Sequence, residues 1–90
     1  MKKYIIDYYE YFGLHPEADI IWDEYEYIVN NRLVKADNVH HIQHGANKYE
    51  HINNYIALSY SNHELAHQEK LGHRDQIQDV HFQFLEDNPY

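Results

Sequence analysis

The chain has no cysteine. Disulfides and thiolate zinc sites are therefore both excluded, and any staple must come from aromatic packing or from a metal held by His, Asp, Glu or Asn. Positive charge is also scarce: 7 Lys and Arg stand against 15 Asp and Glu, a formal net charge of -8. That balance weighs against strong sequence-independent binding of nucleic acid, because phosphate contacts need clustered Lys and Arg. Long apolar runs are missing too. The opening MKKYIIDYYEYF is broken by Asp7 and Glu10, so it predicts no signal peptide, and no segment approaches the length of a membrane span. These absences predict a soluble, cytoplasmic protein with no membrane partner.

What is present suits a small globular fold. Ninety residues predict one domain, residues 1–90, at a size where a single core is only marginally sufficient. Ten Tyr, three Phe and one Trp supply large faces with polar tips from which such a core can be built. Tyr4, Ile5, Tyr8, Tyr9 and Phe12 recur at helical spacing, predicting a helix over residues 3–13 that exits at Gly13. LHPEAD reads as a connection. EYEYIV-NN-RLVKAD holds two strand-like runs around Asn30 and Asn31, and Asn tolerates the positive φ of a tight turn, so a β-hairpin is predicted there. NVHHI reads as a further short strand and QHGANKYEH as a polar loop. Ser61 with Glu64 three residues on is a capping-box signature for a helix from near Asn62 to near Gly72. A last helix over residues 74–86 would bury Ile77, Val80 and Phe84 before Asn88-Pro89 stops it. Its apolar stripe fits core packing or a dimer face equally well.

Nine histidines remain to be explained, three of them (His40, His41 and His44) within five positions of ADNVHHIQHG. His63 and His67 lie four apart on the predicted helix, roughly 6 Å along its axis, close enough for both to reach one ion. A lone histidine is more often a surface or hydrogen-bonded residue, and His15, His51, His73 and His81 are read so. The acidic run from Asp23 to Glu26 is more often a solvated strand end than a metal site.

VHHI, NNYIAL and HELAH form an ordered set: paired histidines on a strand, an asparagine in the next loop, two histidines on a helix. The set resembles the HNH endonucleases, the ββα-metal nucleases, over about residues 22–70. The resemblance implies an α+β fold in which a small ββα-metal core of short strands and a helix is flanked by N- and C-terminal helices. It also implies a DNA endonuclease, of a size often encoded by phages or mobile elements, working in the host cytoplasm. Residue by residue, His40 is similar to a metal ligand and His41 to the general base. Asn54 would hold the loop, orient His41 or lie near the metal. His63 resembles the second metal ligand, and His67 the additional helical ligand that some members have. The implied cofactor is one divalent ion (Mg, Mn, Ni or Zn). Hydrolysis of a phosphodiester needs one neutral imidazole to take a proton from water while a cation offsets charge on phosphate, so activity should rise as pH climbs through the histidine range.

Two departures qualify that resemblance. Many relatives hold a structural zinc on two Cys-x-x-Cys knuckles, whose places here read Asp23-Glu24-Tyr25-Glu26 and Ser59-Tyr60-Ser61-Asn62. The hairpin, Trp22 and the tyrosines would do that structural work, with a carboxylate site on Asp23 and Glu26 as a substitute. The loop basic residues have become His44-Gly45, with Lys48 nearby, so His44 and Lys48 are the candidates for touching phosphate. A protein partner or a homodimer would then supply the missing DNA affinity. The alternative function is a catalytically silent module of the same shape that binds a metal or a protein.

Overall fold

Helix α1 (Lys3–Tyr11) forms where its aromatic spacing predicts it, burying Tyr8 completely, and the chain leaves through Gly13 at φ 70°. The computed structural model describes all 90 residues and continues with α2 (Glu24–Asn30), β1 (Asn38–His41), β2 (Tyr55–Leu58), α3 (Tyr60–His67) and α4 (Arg74–Asp87). The expected class is what the chain adopts: an α+β fold of four helices and one two-stranded antiparallel sheet.

The predicted hairpin before β1 is not formed. Helix α2 occupies its first arm, because Asp23 caps the helix by accepting from the Glu26 amide at 2.8 Å and Glu24 and Glu26 place negative charge in its first turn. Asn31 does take the positive φ foreseen for it, 54°, but as the left-handed end of α2, where Arg32 N–H returns to Glu26 O at 3.0 Å. Strand-like pairing shrinks to one bridge between Trp22 and Lys35. The sheet instead joins β1 to β2 in the register His40 to Ile56 and His41 to Tyr55. YIAL, which carries no separate expectation in the sequence, is thus the second strand, and it is buried at all four positions.

The sheet divides two apolar clusters. Val39, Tyr55 and Ala57 face α1 and pack with Tyr8 and Ile21, while Ile56 and Leu58 pack with Ile42 and Ile77 on the side of α3 and α4. Helix α3 starts earlier than predicted: its cap is Ser59, not Ser61, and it ends at His67, well short of Gly72. Helix α4 is capped by His73 and Gln76 acting reciprocally and stops at Asn88. Ile77, His81 and Phe84 are its buried positions, with Val80 only half-buried, so core packing accounts for most of the stripe.

The acidic run is not a solvated strand end. Asp23 and Glu24 are 0% exposed. Asp23 accepts from the Ser59 amide at 2.7 Å and from Asn62 Nδ2 at 2.9 Å, and Asn62 Nδ2 also donates to Glu26 at 2.9 Å. Asn30 and Arg32 donate to the other Glu26 oxygen. Asp23, Glu26, Ser59 and Asn62 therefore converge as a hydrogen-bonded knot. Every oxygen of Asp23 and Glu26 accepts from an N–H donor, so the minor alternative of a carboxylate metal site finds no free oxygen here, and the knot does the structural work assigned to the absent hairpin. Beside the knot, Glu24 accepts from Tyr8 Oη at 2.5 Å and the Ala57 amide at 3.1 Å and pairs with His81 Nδ1 at 2.6 Å.

Candidate metal centre

Successive side chains on a strand point to opposite faces, and β1 separates its two histidines accordingly. His40, buried, turns toward α3, where its ring centre lies 5.0 Å from those of both His63 and His67. His63 and His67 stand one helical turn apart with their Nε2 atoms 3.1 Å from each other. One nitrogen from each of the three residues lies within 4.8 Å of the others. Two imidazole nitrogens bound to one tetrahedral zinc would sit about 3.3 Å apart, so a small contraction brings this set to ligand distance. His44 approaches His40 from the loop, Nε2 to Nε2 3.2 Å, and stands outside that set of three.

Burial favours the neutral form of His40, His44 and His63. Burial pushes His40 down to about 3, with repulsion from His44, His63 and His67 adding to it. Burial also lowers His63 and His44, the latter helped by the Arg74 guanidinium. The ion pairs that histidines make involve His41, His73 and His81, and within the cluster the Glu64 charge, which favours protonation of His63, is outweighed by burial. Neutral imidazoles crowded together present lone pairs to a common point, the chemistry a borderline divalent cation seeks.

His41 faces α1. Its ring packs on Tyr4 and Tyr55, with centres 4.4 and 5.4 Å away, and its Nε2 meets the two Glu50 oxygens at 3.0 and 2.8 Å. The His41 contact holds the Glu50 carboxyl below its usual range. An ionised carboxylate only accepts, so Nε2 of His41 carries the hydrogen of this bond, and Nδ1 is the ring nitrogen turned away from Glu50. Asn54, wholly buried, accepts from the Gln43 amide at 2.7 Å and donates to the Gln43 and Tyr49 carbonyls at 3.2 and 3.0 Å. Of the three roles open to it, holding the loop is the one its contacts perform. Lys48 lies 3.9 Å from Glu50, and its charge helps to lower His44.

Three residues were missed by sequence reasoning. Glu50 and Tyr4 contact His41 through tertiary approach and leave no local pattern. Arg74, one of the scattered cations, lines a cleft of about 170 Å³ with His40, His44 and His67. His81 is buried rather than superficial, but its two hydrogen-bonded nitrogens, to Glu24 and to the Ile52 carbonyl, fit the ordinary role expected of it. Set against protein-family models, curated proteins and solved structures, the chain matches none of them.

Proposed function

We propose that this chain is a metal-dependent endonuclease of the HNH type that hydrolyses DNA phosphodiester bonds. The observation that carries the reading is the meeting of His40 from β1 with His63 and His67 from α3, next to a loop that Asn54 pins beside His41. His40, His63 and His67 would hold one divalent ion, which when bound supplies charge neutralisation at the phosphate and the leaving oxygen. A donor set of imidazole nitrogens without a carboxylate suits Zn or Ni better than Mg or Mn. His41 accepts the proton of the attacking water at Nδ1, while Glu50 fixes the ring through Nε2, the division of labour in which a carboxylate orients a histidine base. Arg74 has no carboxylate partner, and its planar fork suits a phosphate oxygen pair in the adjoining cleft.

The net charge of -8 makes the grip on DNA the weak part of this machine. A protein partner or a second copy in the cytoplasm would complete the channel. Purified protein should nick supercoiled plasmid at low salt and pH near 8 with Zn, Ni, Mn or Mg. His41→Ala should abolish nicking with metal binding intact, and His63→Ala should lose both.

One observation favours a second reading, a silent module that binds metal or protein. His41 faces away from the imidazole cluster and is clasped by Glu50, Tyr4 and Tyr55. Unchanged function in His41→Ala, with metal still bound, would select it.

A further inference from the structure

Resting on the metal reading above, the fourth imidazole of the cluster needs its own account. His44 sits at the mouth of the loop, extended at φ -119° just before the 3₁₀ turn Gly45–Asn47, half-buried and without a carboxylate partner. Its Nε2 is 3.2 Å from that of His40, nearly the spacing of two nitrogens on one tetrahedral ion, about 3.3 Å. Its ring also stacks on His67, centre to centre 6.3 Å. A residue with a purely surface role would have no reason to aim its ring nitrogen at a buried ligand.

We propose that His44 is the fourth ligand of the same ion, closing the site at rest with four imidazoles and yielding its place to an oxyanion that enters by the cleft. Two features permit the exchange. Gly45, at φ 62° with nothing within 4 Å of where a Cβ would stand, leaves the backbone behind His44 unpacked. The cleft of about 170 Å³ is lined by His44, Arg74 and Glu69, so the path that displaces the imidazole contains a cation for the incoming anion as well as one carboxylate. That space admits one tetrahedral oxyanion. His40, held by the sheet, and His63 and His67, held by α3, are the fixed ligands, and His44 is the exchangeable one.

The test uses the full chain loaded with Zn for NMR and with Co(II) for absorption. The side-chain nitrogen resonances of His44 should move on zinc loading together with those of His40, His63 and His67. His44→Ala should bind Co(II) at least about tenfold more weakly, the smallest loss that even an outer partner of a ligand causes. Its visible bands should respond to inorganic phosphate at concentrations that leave the wild-type bands unchanged, because no imidazole competes with the anion. Arg74→Ala should keep the wild-type Co(II) affinity and spectrum but need more phosphate to change it. A His44 resonance that ignores zinc, or equal Co(II) affinity and phosphate response in wild type and His44→Ala, would overturn the proposal, as would failure of the wild type to bind either ion. Absence of DNA cleavage alongside the expected spectra would leave the fourth ligand standing and remove the nuclease reading instead.

Discussion

Two polar clusters take side chains from α3, and they are finished in opposite ways. Around Asp23, Glu24 and Glu26 every carboxylate oxygen has a donor and no buried side-chain polar atom is left without a partner. Around His40, nitrogens face nitrogens at 3.1 and 3.2 Å, so each pair shares one proton and its second ring adds only a lone pair. The first cluster is closed by the chain itself. The second is closed only by something with positive charge. Helix α3 serves both, offering Asn62 to the carboxylates and His63 and His67 to the imidazole cluster. Structural and functional polarity are thus separated by who completes them.

The largest effect should come from opening the closed cluster. Glu24→Ala strips Tyr8, His81 and the Ala57 amide of their shared acceptor in a fully buried place. A loss of about 3–5 kcal/mol is expected in urea unfolding, as for other buried pairs broken on one side. That is a large share of a total of roughly 5–13 kcal/mol for a chain this long. A loss below 1 kcal/mol would mean the network is not the anchor it looks like.

Zinc should do for the open cluster what hydrogen bonds do for the closed one. At a hundred times its Kd, zinc should raise the unfolding free energy by about 2.7 kcal/mol. The gain should vanish in His40→Ala and His63→Ala. It should persist in Asp23→Asn, whose starting stability is lower but whose imidazoles are untouched. A gain that disappears with Asp23 instead would place the ion in the knot and erase the distinction drawn between the clusters.

These contrasts explain what could be read beforehand. Tyr8, Tyr9 and Phe12 announce α1 because a surface helix with one apolar face repeats at a period the sequence displays. The histidine set is legible because residue type and spacing survive translation into space: four along a helix is one turn. Helix α2 was not legible, since Asn at positive φ serves a hairpin turn and a helix end alike, and since its inward positions are the acids Glu24 and Glu26. Acids at buried positions invert the hydrophobic pattern. Donors such as Tyr8, His81, Asn62 and the Ala57 amide, up to 57 residues away in the chain, make them affordable. The same limit hid Glu50 and Arg74, whose places beside His41 and His44 are set by the packing of a loop and of α4.

A pH titration sharpens the comparison further. His40 takes a proton near pH 6.5 when unfolded but only at about 3 when folded. Between those values the unfolded chain binds more protons, so the metal-free protein should lose stability as pH falls, with full stability above 6.5. The slope from this one group approaches about 1.4 kcal/mol per pH unit. Glu24, raised by burial, keeps its proton longer in the folded state and pulls the other way at acid pH. The difference between wild type and His40→Gln isolates the histidine, and parallel curves for the two would show that burial of this ring carries no cost.

The smallest effect tests the helix that the two clusters share. Ser59 accepts from the Asn62 amide at 3.4 Å, a long bond, while Ser61, which the capping signature favours, is exposed inside the first turn. Ser59→Ala should therefore cost about 0.5–1 kcal/mol, the lower part of the range for lost caps, and Ser61→Ala nothing measurable. Because Ser59 also presents its amide to Asp23, its side chain adds to an end of α3 already tied down by the knot. If the knot alone sets the start of α3, Ser59→Ala will leave zinc affinity unchanged while lowering stability slightly. If the cap also sets the phase of the helix, His63 and His67 will drift from His40 and zinc will bind more weakly in the same variant, coupling the closed cluster to the open one through a single turn.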